Sequence, residues 1–257
     1  DIGCDHAYVA CQAVLEHRVV KAYACDIAQG PLDNARQTIQ SNHLENQVFC
    51  LLTDGMQNLP DEVDVVVIAG MGGKMIEAIL ENASLHPSMH FILSPHKDAE
   101  ALRRYLISHG FTIQREKYIE DQHHSYPIMD CNFIPCRENY DDFAYAYGIH
   151  PIKDEPYKSY LLSQKKKWMS LLERVPDQRR KELEKEIEII RQDFASSHFS
   201  PIARFTVTKQ VYARFFDHFL KIGSCIFIGL CRFGCAWCER IQFRPSSIRR
   251  NGSVPRP

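Results

Sequence analysis

"VDVVVIAGMGGKMIEAIL", residues 63–80, decides the fold. Its first half is a continuous apolar, largely β-branched run, the pattern of a strand buried on both faces of a parallel sheet. Gly70, Gly72 and Gly73 follow, and glycines so dense let a backbone turn sharply and approach a neighbour closely. "KMIEAIL" (74–80) then returns with the spacing of a helix. Strand, glycine turn and helix together make half of a βαβ unit.

The same alternation runs outward from this stretch in both directions. Upstream, "VVKAYACD" (19–26) reads as a strand ending in an acid. "GPLDNARQTIQSNHL" (30–44) reads as a helix, with Pro31 in its first turn and Leu32, Ala35 and Ile39 on one face. "QVFCLL" (47–52) is a short strand stopped by Asp54-Gly55. Downstream come a strand, "HFILS" (90–94), and a helix, "AEALRRYLISHG" (99–110), with Gly110 at its C-terminal cap. The alternation then stops. "FTIQREKYIE" (111–120) and "SYPIMDCNFI" (125–134), joined by a short polar loop, predict an antiparallel hairpin. The expected class is α/β, a doubly wound sheet with one reversed C-terminal strand.

Composition and charge narrow the classes further. With 257 residues, 45% of them apolar, the chain can bury one sizeable core. No run of about 18 apolar residues predicts a membrane span, and no charged leader precedes an apolar segment. Of ten cysteines, Cys4, Cys11, Cys25 and Cys50 fall inside apolar patterns, where cysteine behaves as a small hydrophobe. A reduced, cytoplasmic protein is expected. Charge is unevenly laid out. Residues 1–135 hold 9 Lys and Arg against 18 Asp and Glu, 136–200 hold 12 against 12, and 201–257 hold 10 against 2. Three regions are expected, with boundaries at 135 and 200.

Four strand ends carry the candidate chemistry, because ligands of open α/β sheets sit outside the carboxyl ends of the strands. "DIGCDHAYVA" (1–10) opens as a strand end running into a turn, and Asp26 closes the next strand 23 residues after Gly3. An acid at about that distance takes ribose hydroxyls in nucleotide-binding βαβ units. A turn with one glycine cannot cradle a pyrophosphate, so a nucleoside ligand without phosphates is favoured, and S-adenosylmethionine fits. Asp54-Gly55 offers an acceptor for an adenine amino group, or an ordinary turn. The glycines of 70–73 allow close approach to a ligand, or a tight strand–helix junction. In "SPHK" (94–97), Pro95 holds the chain extended where a target base could stack.

Taken together, "DIGCDHAYVA", "GPLDNA", "TDG", "VIAGMGGKMI" and "FILSPHKDAEALRRYL" resemble the bacterial tRNA (adenine-22-N1)-methyltransferase family. The resemblance covers roughly residues 1–195 and implies a class I S-adenosylmethionine-dependent, Rossmann-like fold followed by a helical, coiled-coil-like C-terminal domain. It also implies that Asp1, Gly3, Asp5 and His6 line the methionine end of the cofactor. Asp26 would bind the ribose, Asp54 with Gly55 the adenine, and Gly70, Met71 and Gly72 the methyl-transfer side. This chain has Ser94-Pro95-His96 where the family often has a Gln-Pro-Asn type of sequence, which leaves the base-contacting residues open. The first strand of such a fold would precede Asp1. Without it the sheet is expected to lack a middle member and the pocket a wall.

Neutral adenine N1 carries an available lone pair, so methyl transfer to it needs no general base. Catalysis then rests on positioning and on stabilising the ring cation that develops. Asp5 is the candidate for that electrostatic role, with helix N-capping as the alternative. His6 and Tyr8 are candidate contacts to cofactor or base, and Pro95 to the base. Since N1 lies on the pairing edge, the base must leave the stack.

"YKSYLLSQKKKWMSLLERV" and "QRRKELEKEIEIIRQDF" predict two charged amphipathic helices parted near Pro176, with Leu161, Leu162, Trp168, Leu171 and Leu172 in the seam. Lys165, Lys166 and Lys167 would hold tRNA phosphates or form a solvated face. In the last region, "CRFGCAWC" (231–238) has cluster-binding spacing but stands near the end of the chain. Cys225, Cys231, Cys235 and Cys238 leave a zinc site conceivable. No metal site is expected, and the tail, 201–257, is expected to be poorly ordered. Two rival readings remain: an inactive fragment that binds RNA or protein, and a methyltransferase acting on a protein or small molecule.

Overall fold

Parallel pairing of β3 (Val65–Met71) with β4 (His90–Pro95) forms the centre of the sheet in the computed structural model, which describes residues 1–121, 124–135 and 138–196. The expectations for residues 201–257, the four tail cysteines included, lie outside the described residues. β1 (Ala22–Asp26) pairs in parallel with β2 (Val48–Leu52). Ile2 joins the two parts of the sheet, bridging in parallel to Cys25 on one side and to Ile68 on the other. The hairpin of β5 (Thr112–Asp121) and β6 (His124–Asn132) forms as expected, and β6 inserts antiparallel between β4 and β5. β1 begins at Ala22 rather than Val19. His17 turns the chain in the left-handed region, and Val20 is left in solvent.

Alternation along β3 sorts its side chains between two apolar layers. Val66 and Ile68 join Ile76 and Leu80 of α3 (Gly73–Glu81) and Leu102 and Leu106 of α4 (Ala99–Ser108). Val67, between them, faces the other way and packs with Val9 of α1 (Tyr8–Leu15), Ile92 and Ile128. α2 (Gln29–Ser41) adds Leu32, Ala35 and Ile39 to a third cluster with Ala10 and Val14 of α1. Each fully buried Ile or Leu contributes about 1.5–3 kcal/mol relative to exposure. That is why the faces of the sheet, rather than local propensity, hold these short strands.

The C-terminal helices do not stand apart from the sheet. α5 (Asp142–Tyr147) is capped by Asp141, whose side chain accepts from Ala144 N at 2.8 Å. α6 (Glu155–Leu171) is capped by Asp154, which accepts from Tyr157 N at 3.2 Å. A short 3₁₀ turn, Leu172–Arg174, leads into α7 (Asp177–Ser196). Tyr118 of β5 packs with Tyr147, Tyr157, Leu161 and Ile190, so sheet and helices share one core. Residues 150–152 also cover the outer edge of β5. Glu116 N donates to His150 O and Ile152 N to Glu116 O, which protects an otherwise open strand edge. The seam differs from expectation at Leu162, which is about half exposed because the tyrosines take the buried stripe of α6.

Candidate active site

Residues 1–4 run between β1 and β3, in the place where the sheet is expected to lack its middle member. Cys25 N donates to Asp1 O (2.9 Å), while Gly3 N and Cys4 N both donate to Cys25 O (2.8 and 3.0 Å). Gly3, Asp5 and Ala7 all have positive φ, at 72°, 48° and 55°. For the two non-glycine residues this backbone is strained, at a cost of about 1–2 kcal/mol each. Gly3 is favoured by its positive φ, and a Cβ there would lie 2.2 Å from Cε at the flexible end of the Met71 side chain, which would have to move aside. Ala7 is the N-cap residue of α1, with no side-chain cap. Asp5 therefore does not cap the helix, contrary to the capping alternative. Its exposed carboxylate lies 3.7 Å from His6 Nε2, and the His6 ring stacks on Tyr8 (centroids 5.2 Å apart, planes 10° apart). Asp1 Oδ2 is buried and has no hydrogen-bond partner among the described residues. A buried acceptor in that state is costly unless a ligand brings a donor.

Asp26 stands one residue beyond Cys25, at the end of β1, and its Oδ1 accepts from Ala28 N at 3.0 Å. Thr53 N donates to Asp26 O (2.9 Å), which sets Asp54 at the adjacent strand end. Asp54 itself is exposed, in a turn closed by Gln57 N to Asp54 O (3.2 Å). Gly55 takes a φ of 56°. Ile27, 67% exposed, and Leu52, 58% exposed, leave apolar surface beside these two acids.

The glycines after β3 divide their work. Gly70 takes a φ of 79°. A Cβ on Gly73 would lie 2.7 Å from Asp98 O, and one on Gly72 would lie 3.0 Å from Lys97 Cε. Gly73 is thus accounted for by a tight junction against the backbone of residues 97–98, whereas the Lys97 side chain near Gly72 can move aside. Met71 pairs with Pro95, which is buried, and His96 N donates to Met71 O at 2.9 Å. The His96 imidazole is hydrogen-bonded to the Gly70 backbone. Burial lowers its pKa, and this hydrogen bond opposes that effect. Its ring meets Tyr126 edge to face, with centroids 5.7 Å apart.

Backbone hydrogen bonds tie these strand ends together, from Thr53 N to Asp26 O, from Cys25 N to Asp1 O and from His96 N to Met71 O, along the carboxyl ends of the strands. Ile27, Leu52, Tyr126 and His124 escaped the sequence reading. The apolar pair could have been found as hydrophobes beside strand-end acids, whereas the hairpin residues gave only a strand signal. Among the described residues, no group of three or more His, Cys, Asp or Glu is placed to hold a metal, and no helix is long and apolar enough to cross a membrane.

Parallel strands flanked by helices, with one antiparallel strand inserted beside β4, define a class I, Rossmann-like methyltransferase fold. A family model described as tRNA (adenine(22)-N(1))-methyltransferase matches residues 1–196, and the chain belongs to that family. It is 30% identical over 152 residues to the tRNA (adenine(22)-N(1))-methyltransferase of Bacillus subtilis. That match spans 58% of this chain and 64% of the relative, so it falls just short of two thirds of the relative's length. Among solved structures, M. capricolum TrmK in complex with S-adenosyl-homocysteine aligns with a TM-score of 0.64 at 26% identity, covering 76% of this chain and 89% of that one. Streptococcus pneumoniae Sp1610, in complex with S-adenosyl-L-methionine, aligns with a TM-score of 0.63 at 25% identity, covering 75% and 89%.

Proposed function

We propose that the chain binds S-adenosylmethionine at the carboxyl ends of the strands and transfers its methyl group to N1 of adenine 22 in tRNA, as a cytoplasmic enzyme. The observation that carries the reading is Asp1 Oδ2, a buried acceptor with no donor among the described residues, on the turn beside Asp26. The cofactor's α-ammonium would supply the missing donor. Asp26 keeps Oδ2 for a ribose hydroxyl, since only Oδ1 is engaged by Ala28. Asp54 and Gly55 would meet the adenine edge, with the exposed Ile27 and Leu52 against its faces. Gly70, Met71 and Gly72 would bound the methyl-transfer side. Residues 1–135 are read as the cofactor-binding unit, and the helical segment from 136 as the tRNA-contacting one.

When bound, S-adenosylmethionine supplies an electrophilic methyl group on a sulfonium sulfur. The chain's own task is to orient the base and exclude water, because the N1 lone pair needs no proton removed. Asp5, its carboxylate not spent on helix capping, favours positive charge developing nearby. Pro95, His6 and Tyr8 shape the entry of a base taken out of the stack. Calorimetric titration with S-adenosylmethionine, then incubation with total tRNA and nucleoside analysis, tests the reading. Cofactor binding and newly formed 1-methyladenosine are expected. Binding without a methylated nucleoside would point to a protein or small-molecule substrate, and no binding would leave a remnant that contacts RNA or protein.

A further inference from the structure

The β5–β6 hairpin brings ring-bearing side chains to the proposed site. β4 pairs with β6 as far as Leu93 opposite Met129, whereas β5 and β6 stay paired out to Asp121 opposite His124. The hairpin therefore outruns β4 at the carboxyl end of the sheet, the end that carries the site. There Tyr126 meets His96 edge to face and stacks on His124, with centroids 6.3 Å apart. Tyr126 and Ile128 alternate onto the same face of β6. Ile128 packs with Val9, Val67 and Ile92, with Ala69 beside them. Val9 directly follows Tyr8, whose ring stacks on His6. Val9 and Ile128 thus meet in one apolar cluster, with the His6–Tyr8 pair beside Val9 in the chain and the His96–Tyr126–His124 group beside Ile128 on β6.

We infer that these two groups form a clamp for the target base, and that the Tyr126 ring stabilises the positive charge the base acquires on methylation. This rests on the adenine-N1 reading above. In that reaction the N1 lone pair forms the new N–C bond, the electrons of the S–C bond return to sulfur, and the positive charge passes to the adenine ring. Aromatic faces stack on an extruded base and attract a cation. His96, lowered by burial, favours the neutral imidazole and so sets no opposing charge beside the ring. Tyr126, His96 and His6 are half-buried and Tyr8 is 41% exposed, so their rings can receive a base without unfolding.

The test compares Tyr126→Phe and Tyr126→Ala with the parent in the full chain. Tyr126→Ala is expected to lower kcat on tRNA about tenfold or more, to leave S-adenosylmethionine affinity unchanged, and to be rescued by Tyr126→Phe. In the presence of S-adenosylhomocysteine, the parent is expected to bind cationic 1-methyladenosine more tightly than adenosine, and Tyr126→Ala to lose that preference. Full activity in Tyr126→Ala, a matching loss of cofactor affinity, or no rescue by Phe overturns the clamp. A parent that forms no 1-methyladenosine in tRNA overturns the methyl-transfer reading instead. The nucleoside titration then decides the clamp alone, and equal binding of the two nucleosides refutes it.

Discussion

Arg103 and Glu116 form a bidentate ion pair with no solvent exposure, Nε to Oε1 and Nη2 to Oε2 both at 2.8 Å. Arg103 Nη1 also donates to Tyr145 O (2.8 Å) and Ala146 O (3.2 Å), while Glu116 Oε1 accepts from Ile149 N (2.7 Å). Tyr118 Oη accepts from Arg103 Nη2 (2.9 Å) and donates to Tyr147 O (2.7 Å). One buried network thus ties α4 and β5 to the start of the helical segment. α4 begins three residues after His96, so the same network anchors the helix that follows the end of β4.

Removing one partner leaves the other buried and charged. Arg103→Ala or Glu116→Gln is expected to cost about 3–5 kcal/mol, read from denaturant unfolding. The double change Arg103→Met with Glu116→Leu should cost less than either single one, because no charge is stranded. Equal losses in all three would mean the pair contributes packing only.

The ribose assignment depends on a single carboxylate. Asp26→Ala is expected to weaken S-adenosylmethionine binding by about 1.5–3 kcal/mol, the value of a hydrogen bond to a charged acceptor. Calorimetry checks it, and unchanged affinity would move the ribose contact elsewhere.

A pH dependence is built into the opposite end of the sheet. His90 Nε2 lies 2.7 Å from Asp130 Oδ1, and His90 Nδ1 is hydrogen-bonded to Asn132, while Arg115 Nε donates to Asp130 Oδ2 at 2.9 Å. Burial alone lowers the His90 pKa, and Arg115 opposes protonation too. The bonds to Asp130 and Asn132 outweigh both, and the pKa ends above its ordinary 6.5. A folded-state pKa raised in this way contributes stability that is fully present below pH 6.5. It is lost as pH rises through the folded value. Denaturant unfolding across that range should show stability falling with pH in the parent, and a flatter profile in His90→Gln.

The basic run on α6 offers a test of RNA contact. Lys166 and Lys167 are exposed and Lys165 half-buried, with Lys167 Nζ 4.9 Å from the centre of the Trp168 ring. Replacing all three by Ala is expected to raise the KM for tRNA and to flatten its salt dependence, leaving cofactor affinity alone. Kinetics indistinguishable from the parent at several salt concentrations would make the run a solvated face.

The sequence by itself determined what depends on local pattern. The apolar run of β3, the alternation of strands and helices, the hairpin, and the acids at strand ends are all periodic or adjacent features, and all are present in the fold. Tertiary structure decided what depends on residues brought together from afar. Arg103 and Glu116 stand 13 positions apart and look like ordinary surface charges until β5 packs against α4. Gly73 reads as part of a ligand-facing run until the backbone of Lys97 and Asp98 comes against it. Asp5 fits a capping pattern, yet the left-handed turn at Ala7 places the cap elsewhere. Tyr126 is one strand residue among ten until the hairpin overshoots β4 and sets its ring against His96. Periodicity reports which face of an element is buried. It carries no information about which distant backbone or charge will meet that face, and that choice is made only when the chain closes on its core.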